Sequence, residues 1–163
     1  MDNANFQSLN MVRDELVATI EDAAKNLEKF ASSHDDGESL QASIESIRQI
    51  VGTLSLIQFQ GSQLLAEELL QTANDIVPGE SGKKFERRLE VVSNSFFVLT
   101  RYLEYVQQTE RKAPILLIPQ INELRKLRAE PSLSECHFFE FTFKSSPDIP
   151  NIDAMDFGEQ SFS

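Results

Sequence analysis

The 163-residue chain has the composition of one folded domain, with 40% apolar and 25% charged residues. Its formal net charge of −11 repels phosphate backbones and anionic lipid headgroups. The composition therefore argues against nucleic-acid binding and against binding to a membrane surface.

The first predicted helix begins near Leu9 and ends near Phe30. Its apolar positions recur every three or four residues, as the buried face of an amphipathic helix requires. Segment 31–38 is small and polar and contains Gly37, so it should form the turn after this helix. His34 stands there beside two aspartates, but three consecutive residues cannot enclose a metal ion. We expect a solvated loop and no metal site.

The second and third predicted helices form a hairpin. Two apolar stripes follow each other with only a short glycine-containing break between them. A connection this short brings two helices together in antiparallel orientation. The stripes run from Leu40 to Ile57 and from Leu64 to Ile76, and the break between them is Gln60-Gly61.

The fourth predicted helix opens near Ser81 and carries the most regular stripe, from Phe85 to Val106. A shorter helix is predicted over 119–129. Its cations should point outward near the helix end whose dipole favours positive charge. These cations are Arg125, Lys126 and Arg128. Four stripes of comparable length predict an all-α fold, a four-helix up-down bundle over residues 8–130, with the short helix covering one end.

Segment 131–163 differs in character from the bundle. It holds half of the chain's 12 phenylalanines among prolines, serines and acidic residues. The part HFFEFTF could form a short strand, an extended strip on the bundle or the start of a further domain. Because soluble domains rarely leave so much aromatic surface without a partner, we expect an extended or partly disordered tail that leads to further domains.

The sequence offers no catalytic constellation. Cys136 and His137 are neighbours, and adjacent residues seldom converge on one site as a nucleophile and its base must. A bundle enzyme with a di-metal site would need Glu-x-x-His pairs, and none occurs. We therefore expect no enzyme, no cofactor and no metal. The single cysteine, the lack of a signal-peptide pattern and the shortness of the longest apolar run predict a cytoplasmic protein without membrane insertion.

Segment 45–52, ESIRQIVG, is the most informative part of the second predicted helix. Its layout resembles the histidine phosphotransfer (Hpt) family of bacterial phosphorelays. In that family one hairpin helix carries His-x-x-Lys-Gly, where the histidine accepts phosphate and the glycine makes room for a receiver domain. Here Arg48 stands in place of the histidine and Gly52 keeps the glycine. Because arginine carries only hydrogen-bond donors, phosphotransfer at this position is excluded. A glycine within a helix can also indicate only close helix packing.

Four further segments resemble the N-terminal domain of FimL-type scaffold proteins and the related domain of ChpA-type hybrid kinases. These segments are MVRDELVATIEDA, GTLSLIQFQGSQLLAEELL, FFVLTRYLEYV and LLIPQINELRKLR. The resemblance covers roughly residues 9–143 and implies a bundle of the Hpt type without phosphotransfer. It implies a scaffold at the cell pole, in the chemosensory pathway that controls type IV pili, twitching motility and cyclic AMP. The implied partners are a CheY-like response regulator of the PilG type and a polar hub protein of the FimV type.

The resemblance also implies a partner-binding face, because in working Hpt domains the receiver docks over the histidine. The corresponding residues here lie three or four apart on the second helix. They are Gln41, Glu45, Arg48, Gly52 and Ser55. A solvated surface arginine is the competing interpretation of Arg48. The N-terminal domain of a ChpA-like hybrid kinase is the alternative to a FimL-type scaffold, and dimerisation is left open.

Overall fold

The computed structural model describes residues 2–134, with side chains described from residue 5 onward. Five α-helices and one short 3₁₀ helix make up this part of the chain. In chain order they are α1 (Asp2–Ser32), α2 (Gly37–Leu56), α3 (Gln60–Asn74), α4 (Lys83–Thr109), the 3₁₀ helix (Pro114–Leu117) and α5 (Ile118–Leu127). No strand occurs between residues 2 and 134.

The four long helices pack in a closed ring. α1 contacts α2 and α4, and α3 contacts the same two helices from the other side. α5 and the 3₁₀ helix lie against α3 and α4. The predicted all-α helical bundle is therefore confirmed, while its assignment to the Hpt type stays a prediction. Within residues 2–134, no helix has both the length and the apolar character that crossing a membrane requires.

The predicted apolar stripes form the core. Every stripe position of α4 is buried, and so is nearly every one of α1, α2 and α3. Each fully buried large side chain contributes about 1.5–3 kcal/mol to the free energy of folding. The half-buried residues at the margin of this core include Val12, Val51, Leu64 and Leu127.

The turn between α2 and α3 lies earlier than predicted. α2 ends at Leu56, and Gln58 takes the left-handed conformation with φ 62°. The Phe59 amide then donates a hydrogen bond to the Leu54 carbonyl over 3.0 Å, which closes the helix end. Gln60 and Gly61, predicted as the break, instead begin α3.

α5 lies close to its predicted position, but two of its cations do not point outward. Arg125 donates a hydrogen bond to the Glu68 carboxylate of α3 over 2.6 Å, and Arg128 pairs with the same carboxylate. Because α5 packs over α3, a buried acid beneath it draws both guanidinium groups inward. Of the three cations predicted to point outward, Lys126 is the one that is exposed.

The prediction of a freely solvated loop was wrong for the side chain of His34. The ring is half-buried, with its centroid 4.7 Å from that of Phe85 and 6.3 Å from that of Phe30. It joins the α1–α2 turn to the start of α4. The sequence could not place it there because Phe85 is distant along the chain.

The tail is described only as far as Ser134, without regular secondary structure in 131–134. The rest of the tail, including its phenylalanine-rich part, lies outside the described residues. Its predicted extended or partly disordered character stays a prediction.

Candidate partner-binding face

α2 carries the predicted face on a firmly anchored helix. The Asp36 carboxylate caps the helix by accepting hydrogen bonds from the Ser39 amide over 3.1 Å and from the Ser39 hydroxyl over 2.6 Å. The hydrogen bond from the Ser39 hydroxyl lowers the pKa of Asp36 most, and the one from the Ser39 amide lowers it further. At the other end, Leu54 is fully buried in the core. The helix is therefore fixed at both ends.

All five predicted face residues are exposed, and their spacing places them on one side of α2. The opposite side of the same helix is buried against α1 and α3. The name α2 face refers below to these five residues: Gln41, Glu45, Arg48, Gly52 and Ser55.

Arg48 lies in the middle of the α2 face and pairs with Glu45 on its own helix. The guanidinium donates a hydrogen bond to the carboxylate over 3.2 Å, and both side chains are more than half exposed. An exposed pair three residues apart on a helix contributes only about 0.2–0.5 kcal/mol. The pair therefore holds the Arg48 guanidinium only weakly.

Gly52 has open space around it. Among residues 2–134, a Cβ atom built on this glycine meets no atom within 4 Å apart from its chain neighbours and the backbone of its own helix. A Cβ atom built on Gly61 would lie 2.6 Å from the Cβ of Pro114. Close helix packing therefore explains Gly61 and does not explain Gly52.

Leu56 extends the α2 face with an apolar side chain that the sequence analysis did not assign. It lies one helical turn after Gly52, and 85% of its surface is exposed. The signal in the sequence was its position, because Leu56 lies outside the stripe that contains Leu54 and Ile57. An exposed leucine one turn beyond the open glycine adds an apolar side chain at the end of the face.

The sequence predicts no metal site in the turn that holds His34. Among the described residues, no three His, Cys, Asp or Glu side chains lie close enough together to hold an ion. His34 packs on Phe85. Cys136 and His137 lie outside the described residues.

Comparison with curated proteins gives one informative relative. The scaffold protein FimL of Pseudomonas aeruginosa is 45% identical to this chain over 132 residues. The chain is related to FimL. The match covers 81% of the chain and 23% of FimL, so the chain spans about a quarter of the length of FimL. No family model and no solved structure matches the chain.

The relationship confirms the resemblance to FimL-type proteins that the sequence indicated. The resemblance to histidine phosphotransfer domains is not tested by the FimL match and stays a prediction.

Proposed function

We propose that this chain is a non-catalytic scaffold domain that binds a protein partner through the α2 face. Gly52 is the observation that carries the proposal. Glycine in a helix interior costs roughly 0.5–1 kcal/mol relative to alanine, and no neighbouring atom among the described residues requires it. Close approach of a partner's backbone supplies a reason for its presence.

The relationship to FimL supports the scaffold role, since that relative is named a scaffold protein. The FimL resemblance suggests the chemosensory pathway of type IV pili, twitching motility and cyclic AMP. The proposed partner of the α2 face is a CheY-like response regulator of the PilG type. A polar hub protein of the FimV type is the second proposed partner.

The proposed mechanism is recognition without phosphotransfer. A receiver domain presents an acidic pocket where an Hpt domain presents its histidine. Arg48 would leave Glu45 and donate hydrogen bonds to that pocket, while Leu56 makes an apolar contact at the edge. Arginine has no lone pair available for phosphate, so the complex would form without transfer.

A ChpA-like hybrid kinase remains the alternative, with this chain as its N-terminal domain. The length of the native gene and the presence of kinase sequence downstream distinguish the two. The same α2 face would serve in either protein.

Isothermal titration calorimetry with a purified PilG-type receiver tests the proposed function. The variants Arg48→Ala, Gly52→Gln and Leu56→Ala should each weaken binding at least tenfold, a loss of about 1.4 kcal/mol. Phe97→Ala and Arg101→Ala are matched controls, since both side chains are exposed on α4, across the ring from α2. Circular dichroism checks that every variant keeps its helix content.

If the α4 variants lost as much affinity as the α2 variants, or if the α2 variants lost none, the interface would lie elsewhere. Absence of any binding to the receiver would reject this partner and leave a FimV-type protein to be titrated next.

A further inference from the structure

The outward side of α4 carries a row of side chains that the ring of helices leaves uncovered. α4 buries its apolar stripe in the core and packs a second side against α5 and the 3₁₀ helix. On the remaining side, residues recur at intervals of three, four, three, four and three, as the contact seam of a two-helix coiled coil does. The name α4 row refers below to these residues: Arg87, Glu90, Asn94, Phe97, Arg101 and Glu104. Five of them are exposed, and Glu104 is half-buried.

Phe97 is the apolar centre of the α4 row. It is 60% exposed, and the Arg101 guanidinium lies over its ring, 5.4 Å from the ring centroid. Aromatic and arginine side chains contribute most of the binding energy where protein surfaces meet. A ring with a stacked guanidinium is therefore a suitable centre for a contact, and the charges around it decide which partner fits.

The charges of the α4 row are complementary to the same row read backward. In chain order they alternate as base, acid, base and acid: Arg87, Glu90, Arg101 and Glu104. A second copy laid parallel would place each charge against its own like. An antiparallel copy places Glu90 opposite Arg101 and Arg87 opposite Glu104, because both pairs are centred between positions 95 and 96. Opposite charges across an interface favour association, and like charges oppose it.

These charges are available for a second copy. In the part of the chain that the structure describes, Arg101 and Glu104 make no ion pair. Arg87 donates hydrogen bonds to Glu90 over 2.8 Å and to Glu123 of α5 over 3.2 Å, so it would keep Glu123 if Glu90 turned away. The chain as a whole is strongly acidic, and two copies therefore repel each other. The α4 row holds as many bases as acids, which makes this repulsion weak there.

We propose that two copies of this chain associate through the α4 row, with the two α4 helices antiparallel about a two-fold axis between positions 95 and 96. Glu90 of each copy pairs with Arg101 of the other, and Arg87 pairs with Glu104. Phe97 lies about 2 Å along the helix from this axis, so the two rings are offset by about 4.5 Å, which suits stacking. The proposal is independent of the α2 face, because α2 lies across the ring from α4.

Sedimentation velocity over a series of protein concentrations tests the proposal. One helix from each copy forms a contact about 25 Å long, which is a small interface, so a weak and reversible dimer is expected. Glu90→Arg should weaken the dimer at least about tenfold, because the two-fold axis turns one substitution into two like-charge contacts. Arg101→Glu should do the same. Glu21→Arg is the matched control, since it makes the same replacement at an exposed position of α1.

An equimolar mixture of the Glu90→Arg and Arg101→Glu chains is the decisive sample. Each mixed pair carries opposite charges at both contacts, so the mixture should dimerise about as tightly as the wild type, while neither variant does so alone. A wild type that stays monomeric up to about 1 mM would overturn the proposal. Charge reversals no more damaging than Glu21→Arg would also overturn it, as would a mixture that fails to recover. Circular dichroism confirms that the variants fold.

Discussion

Two glycines in neighbouring helices have opposite surroundings, and this difference is measurable. Gly52→Ala should raise the free energy of unfolding by about 0.5–1 kcal/mol, because alanine favours the helix and meets no neighbour. Gly61→Ala should lower it by about 1–3 kcal/mol, because the added Cβ collides with Pro114. Urea unfolding followed by circular dichroism measures both changes.

The two variants are controls for each other, since each replaces one helical glycine with alanine. A destabilised Gly52→Ala variant would show that Gly52 serves the fold and would remove the main support for the α2 face.

Tyr102 gives a prediction about alkaline pH. Its hydroxyl accepts a hydrogen bond from the Ala113 amide over 2.9 Å, and burial raises the pKa of Tyr102 from its usual value near 10 to about 12. A raised pKa in the folded state means that folding favours the neutral phenol. Its contribution is present below pH 10 and is lost as the pH rises toward 12. The loss is about 2–3 kcal/mol for a shift of this size.

Tyr102→Phe removes this titration. The variant should be less stable by about 1 kcal/mol at pH 8, because the Ala113 amide loses its acceptor. Between pH 10 and pH 12 its stability should fall less steeply than that of the wild type. Denaturant unfolding at a series of pH values measures both curves, and parallel curves would contradict the account.

At the scale of the elements, one carboxylate joins α3 to α5. Glu68 is 4% exposed and accepts hydrogen bonds from Arg125 and Arg128. Arg128 also donates to the Thr72 hydroxyl over 3.0 Å. Removing one member of a nearly buried ion cluster leaves uncompensated charge in the others.

Glu68→Gln should therefore lower the free energy of unfolding by about 3–5 kcal/mol. Glu67→Gln is the matched control, because Glu67 is the adjacent, more exposed acid on α3 and should change stability by less than about 0.5 kcal/mol. Thermal unfolding compares the two. Similar stability in both variants would show that α5 is held by its apolar contacts and not by the ion cluster.

The helices were predictable from the sequence, and their polar connections were not. The four-three spacing in α4 alone placed every stripe residue in the core, because burial follows helical periodicity directly. The Glu68 cluster depends on two arginines in a different helix, which no local pattern reveals. Gly61 was assigned to a turn for the same reason, since its contact with Pro114 joins elements that are distant along the chain.

At the scale of the whole molecule, the bundle of residues 2–134 leaves the α2 face exposed. α2 lies in the ring with its buried side toward α1 and α3, and its other side stays exposed. The resemblance to the Hpt family predicts these five residues, because a receiver docks over the histidine position in that family. Leu56 stands outside the apolar stripe of α2 in the sequence, and its exposure in the folded bundle shows that it belongs to the surface.

Titration of the isotope-labelled chain with an unlabelled PilG-type receiver, followed by NMR, tests the central claim most directly. The account predicts that backbone amide shifts change along α2 from Gln41 to Leu56 and stay constant on the exposed side of α4 around Phe97 and Arg101. Shift changes centred on α4, with α2 unaffected, would contradict it.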